Sequence, residues 1–204
     1  MFVSPLAPAA NSELRVVALS KDAPPSEYVV LVEQGKEPVV VQAERRNGPP
    51  SSALARFTPG AAGSLKAIAV RDGAAQHCET INVAATAKRL GSAGPQGLPW
   101  SATRAWDSAM EDLFSAWVET LFDAPDDEFF SASSLHEFTS DEERNFLHNH
   151  LGADEDQAPP KGLRLDPDCA DLPYFLRAYF SFKLGLPFGF SKCSRGGGGQ
   201  APRC

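Results

Sequence analysis

Leu65-Lys66-Ala67-Ile68-Ala69-Val70-Arg71-Asp72-Gly73 runs on to Cys78-Glu79-Thr80-Ile81-Asn82-Val83, and this stretch decides the first half of the chain. Apolar residues alternate in part up to Arg71, as they do on a strand with one buried face. Asp72-Gly73 is a strong two-residue hairpin turn. Residues 78–83 then return as a closing strand. Working back, Ala53-Leu54-Ala55-Arg56-Phe57 alternates and stops at Pro59-Gly60. Two more candidates, Tyr28–Glu33 and Pro38–Ala43, are joined by Gly35-Lys36, and Glu13–Leu19 precedes them. About six short strands at regular spacing predict a small antiparallel β-sandwich over residues 10–86.

Residues 87–98 read as a linker, with Gly91, Gly94, Pro95 and Gly97 among small residues. Residues 99–204 then turn aromatic and helical. Trp106, Ala109, Met110, Leu113, Trp117 and Leu121 keep helical spacing within Ala102–Phe122. Ser140-Asp141-Glu142-Glu143 resembles a capped helix start, which predicts a helix from Asp141 to His150 ended by Gly152. A third helix carries Leu172, Phe175, Leu176, Tyr179 and Phe182 and is apolar nearly all round, as in a buried helix. Gly185 stops it and Pro187 prevents its return. The fold class is α+β: an N-terminal sandwich followed by a mainly helical portion. A flexible linker predicts few contacts between the two parts.

Composition narrows the function. The 204 residues suit one or two soluble globular domains, and the net charge of −7 comes without a basic run. That disfavours nucleic acid and anionic membrane surfaces as partners. No apolar run reaches membrane-spanning length. The first residues lack the basic and apolar regions of a signal peptide, and composition assigns no compartment. Cys78, Cys169, Cys193 and Cys204 have no C-x-x-C spacing, which disfavours a compact zinc or redox motif.

The chemistry centres on Asp168-Cys169-Ala170-Asp171. Unpaired N–H groups give a helix N-terminus partial positive charge. That field favours thiolate over thiol, and the thiolate is the nucleophile. With Asp168 as N-cap, Cys169 lies in the first turn; with Asp171 as N-cap, it stands just outside and Pro173 falls in the first turn. Either way the sulfur is near the positive end. The plainer reading makes Cys169 a small buried residue and Asp168 a cap.

This segment, with Leu186-Pro187-Phe188 after the helix, resembles the nucleophile segment of NlpC-like, papain-fold cysteine peptidases over about 20 residues. That family opens its central helix on an Asp-Cys-Ser-Gly type of tetrapeptide; Ala170-Asp171 stand here for Ser-Gly. The resemblance implies a bacterial hydrolase cleaving amides of cell-wall peptides (peptidoglycan peptides), with Cys169 as nucleophile and Asp168 beside it as the catalytic segment. The family's histidine base follows the cysteine, whereas no histidine follows Cys169. The helical portion is then a partial papain-like domain, and the chain alone is expected to be inactive. The N-terminal part is similar to a bacterial immunoglobulin-like module through its Asp-Gly hairpin and closing strand, without the paired-cysteine and tryptophan hallmark of antibody domains.

Other chemistry is thinner. His136, His148 and His150 precede Cys169, and His148 and His150 cannot share a helix face. One of these histidines with Cys169 and Cys193 lacks the spacing of a zinc motif. Glu111, Asp112, Asp123, Asp126, Asp127 and Glu128 suit a solvated acidic face better than a glycosidase pair. Gly196–Gly199 lacks the Lys-Ser/Thr of a phosphate loop. The expectation is therefore no cofactor and no metal. The alternative from another class is a non-enzymatic binding or assembly module that contacts another protein, with Cys169 structural.

Overall fold

The computed structural model describes residues 1–21, 28–35, 37–87, 100–124, 127, 133–157, 165–191, 193–201 and 203. Most of the expected linker, residues 88–98, lies outside them. The fold is α+β. Its strands are β1 (Phe2–Ser4), β2 (Leu14–Ser20), β3 (Tyr28–Glu33), β4 (Val39–Val41), β5 (Ala43–Arg46), β6 (Ser51–Phe57), β7 (Gly63–Arg71) and β8 (Ala74–Val83). They form two four-stranded antiparallel sheets, ordered β1-β2-β6-β5 and β4-β3-β7-β8. Leu14 and Val16 of the first sheet share a core with Val30, Val32, Leu65, Ala67, Ile81 and Val83 of the second. The sheets therefore pack face to face.

Several strands depart from the sequence reading, the closing strand β8 among them, which begins at Ala74. The stretch Pro38–Ala43 is not one strand: β4 ends at Val41 beside β3, and β5 begins at Ala43 beside β6 in the other sheet. β1 is an additional edge strand, pairing Val3 with Val16. The Asp-Gly hairpin stands, with both turn residues at positive φ, 51° for Asp72 and 74° for Gly73.

Three helices follow: α1 (Ser108–Phe122), α2 (Leu135–Thr139) and α3 (Leu172–Leu184). α1 begins later than its apolar spacing suggests, because Asp107 caps it by accepting the N–H of Met110 at 2.8 Å. Trp106 thus precedes the helix, and its indole stacks on Phe180 with ring centres 5.7 Å apart.

The expectation of few contacts between the two parts is overturned. Val17 and Leu54 on the outer face of the first sheet belong to one buried cluster with Leu113, Trp117, Phe146, Leu176 and Phe180. Arg15 donates to the carbonyl of His148 at 2.7 Å, and Arg56 to that of Glu143 at 2.5 Å. Val16-Val17-Ala18-Leu19 has no polar alternation because β2 is covered on both faces, a pattern that marks doubly buried strands. The second sheet leaves Lys66, Thr80 and Asn82 exposed, and at its edge strand β4 Val39 and Val40 are 58% and 60% exposed.

The helix expected over Asp141–His150 is also overturned. Residues 142–144 and 146–150 form turns. Asn145 Oδ1 accepts the N–H of Leu147 at 3.0 Å and the indole N–H of Trp117 at 2.9 Å. A side chain that captures a nearby backbone donor competes with helix formation. Asp156 takes the N–H of Asn149 at 2.7 Å, and Glu155 takes those of Leu151 and Ala153. Side-chain acceptors thus replace the helical ladder along this segment.

Candidate functional site

Asp168 and Cys169 lie just ahead of α3. Asp171 is the N-cap, in helical conformation, and makes no side-chain capping bond. Asp168 caps instead: its Oδ1 accepts the N–H of Ala170 at 2.8 Å and of Asp171 at 2.9 Å. Its carbonyl accepts the N–H of Leu172 at 2.9 Å, which extends the helical path back over Cys169. Pro173 sits at the start of the helix, where a missing N–H costs little. Cys169 is free and exposed, so it is not a buried packing residue. No hydrogen bond from its N–H or sulfur is made among the described residues.

The histidines lie elsewhere. His150 is buried, its Nδ1 3.1 Å from Ser4 Oγ and its ring centre 5.3 Å from that of Phe2. Burial first, then the nearby Lys183 ammonium, hold its pKa down at about 3. Burial likewise lowers His148, against opposing pulls from Asp156 and Glu142. His136 lines a cavity beside α2. No hydrogen bond joins any of them to Cys169 among the described residues. The candidate metal set also separates: Cys193 is disulfide-bonded. Among the described residues no group of three or more His, Cys, Asp or Glu side chains is placed to hold a metal ion.

Three of the carboxylates around α1 are paired. Glu111 makes a two-pronged pair with Arg177, at 2.7 and 2.5 Å, whose hydrogen bonds lower its pKa. Asp112 pairs with Lys21 at 3.0 Å and Asp123 with Arg46 at 2.8 Å. Asp126 and Glu128 lie outside the described residues.

Periodicity overlooks a buried polar network. Lys183 is fully buried on α3 and bonds both Glu155 and Asp156. Tyr179 donates to Asp156 Oδ1 at 2.8 Å and accepts from Asn145 Nδ2 at 2.9 Å. Burial pushes Glu155 up, but the Lys183 ammonium and the backbone donors outweigh it and hold Glu155 below the usual carboxylate range. One signal was available in the sequence: a lysine in a largely apolar helix calls for a buried acid.

No helix among the described residues is long and apolar enough to cross a membrane. Compared with known proteins, the chain matches no family model, no curated protein and no solved structure.

Proposed function

We propose that this chain carries the nucleophile of a thiol-dependent amide hydrolase of the NlpC-like, papain-fold kind, acting on cell-wall peptides. The observation that carries the proposal is Cys169 itself. It is a free, exposed thiol held by the Asp168 turn at the positive end of a helix with a buried face. The thiolate attacks the amide carbonyl carbon to form a thioester; the C–N bond breaks as the nitrogen takes up the proton the base removed from the thiol, and water then cleaves the thioester, releasing the acid and restoring the thiol. The N–H of Cys169, unused among the described residues, is available to the developing oxyanion. Asp168 positions the turn. The base is a histidine supplied from outside the four of this chain, so this chain presents the nucleophile alone. The order of the two sheets fits an immunoglobulin-like N-terminal module. β1-β2-β6-β5 corresponds to the four-strand sheet of such domains, and β3-β7-β8 with β4 at its edge to the other.

Alkylation tests this reading, because Cys78 is an internal control that is also free and exposed. Iodoacetamide labelling at neutral pH, with mass-spectrometric assignment, should show Cys169 reacting faster than Cys78. Equal rates remove the nucleophile from the proposal.

The second reading, a binding or assembly module with Cys169 structural, draws on the edge strand β4 of the second sheet, where Val39 and Val40 stand exposed. Unchanged partner binding by Cys169→Ser, with equal alkylation rates, favours that reading.

A further inference from the structure

Between α2, α3 and residues 155–157 lies a cavity of about 360 Å³, a size that suits small-molecule sites. Phe175 and Phe182 of α3 and Trp100 form its apolar wall. Trp100 is fixed there: its indole N–H donates to the Leu186 carbonyl at 2.8 Å, and its ring meets Phe182 edge-on at 5.8 Å. Tyr179 adds a fourth aromatic ring. Glu155 and Asp156 also line it, two carboxyl groups with one cationic partner, Lys183, beside neutral donors from the Asn149, Leu151 and Ala153 N–H groups and the Tyr179 hydroxyl.

Aromatic faces carry negative potential and attract cations, most strongly where water is excluded. Two acids against one amine add a net negative charge to the lining. An anionic ligand meets repulsion there, and a neutral one gains apolar contact and hydrogen bonds to groups such as Thr139, Gln157 or His136, but no charge attraction. A ligand with an apolar body and one positive end gains from both features. We propose that this cavity binds a small organic ammonium ion, its hydrocarbon portion against Trp100, Phe175 and Phe182 and its nitrogen towards Glu155 and Asp156. The site is independent of Cys169.

The test compares three probes of one size: 2-phenylethylammonium, 2-phenylethanol and phenylacetate. Binding is followed by the NMR signal of the Trp100 indole N–H, assigned with Trp100→Phe. The ammonium should bind about tenfold more tightly than the alcohol, and phenylacetate more weakly still. Glu155→Gln, which keeps shape and removes charge, should narrow that preference to about twofold. Phe182→Leu, away from the ion triad, should weaken ammonium binding several-fold and keeps the test usable if Glu155→Gln fails to fold. Equal binding of the ammonium and the alcohol, ammonium binding unaffected by Phe182→Leu, or no binding of the ammonium at millimolar concentration overturns the proposal.

Discussion

The hydroxyl of Tyr179 donates to Asp156 Oδ1 at 2.8 Å, and this bond ties α3 to the turn that carries both buried carboxyl groups. Lys183, one helical turn further on, bonds the same turn through Asp156 and Glu155. Removing one member of a buried ion group leaves the others uncompensated, at a cost of about 3–5 kcal/mol. Lys183→Met should lose that much in urea denaturation at neutral pH. Tyr179→Phe deletes one donor and one acceptor, and should cost about 1–3 kcal/mol. A Lys183→Met variant as stable as the parent would show that the triad contributes nothing net to the fold.

His150 makes stability depend on pH in a stated direction. Its pKa is near 3 in the fold against 6.5 unfolded. Between these values the unfolded chain binds a proton that the folded chain does not. Stability is therefore complete above about pH 6.5 and declines as pH falls towards 3. One such proton gives a slope of about 1.4 kcal/mol per pH unit. His148, also lowered by burial, acts in the same direction. Denaturation midpoints of the parent and His150→Gln, taken from neutral pH down to about pH 5, should diverge, with the shallower slope in the variant. Parallel curves would mean that His150 protonates freely in the fold.

The strands and α3 were legible because each repeats a simple period. The Asp72-Gly73 turn and the alternation of Leu65, Ala67 and Ala69 point to one buried face, and all three are buried. Gly185 ends α3 at φ 63° as its sequence position suggests. What period alone could not give was long-range. The break between Val41 and Ala43 depends on which sheet each side joins, not on local preference. The turns at 145–153 arise because Asn145, Glu155 and Asp156 take backbone donors, a choice made by the tertiary fold. The covering of the first sheet was present only as the unbroken apolar run of β2. At the site, the capping role of Asp168 followed from residue type, and the exposure of Cys169 from its place just ahead of the helix.

Two of the three phenylalanines of α3, Phe175 and Phe180, should respond differently to truncation. Phe180 is fully buried and touches the rings of Trp106, Phe114 and Trp117. Phe180→Ala should cost about 3–5 kcal/mol by opening a cavity. Phe175, expected from its spacing to be central, is only half-buried and lines an existing cavity. Phe175→Ala should therefore cost clearly less than Phe180→Ala, since part of its surface already meets open space. Thermal unfolding of the pair settles the order, and a larger loss for Phe175→Ala would place the core on the wrong side of the helix.

Gly185 and Thr103 are the last coupled pair. Gly185 caps α3 in the left-handed region at φ 63°, where a side chain is strained. Its carbonyl accepts the N–H groups of Thr103 and Arg104 at 2.8 and 3.0 Å, so the chain entering the helical part is laid across the end of α3. A Cβ placed on Gly185 would stand 2.5 Å from Thr103 Oγ1. Gly185→Ala thus carries two separable penalties, one from backbone conformation and one from the clash. The first is about 1 kcal/mol and belongs to Gly185 alone. The second is shared, so Thr103→Ala should relieve it in the double variant. In a denaturant-based cycle the double variant should be more stable than the sum of the single losses predicts, by about 0.5–3 kcal/mol. Strict additivity would show that Thr103 turns aside freely, leaving the left-handed cap as the whole reason for glycine at this position.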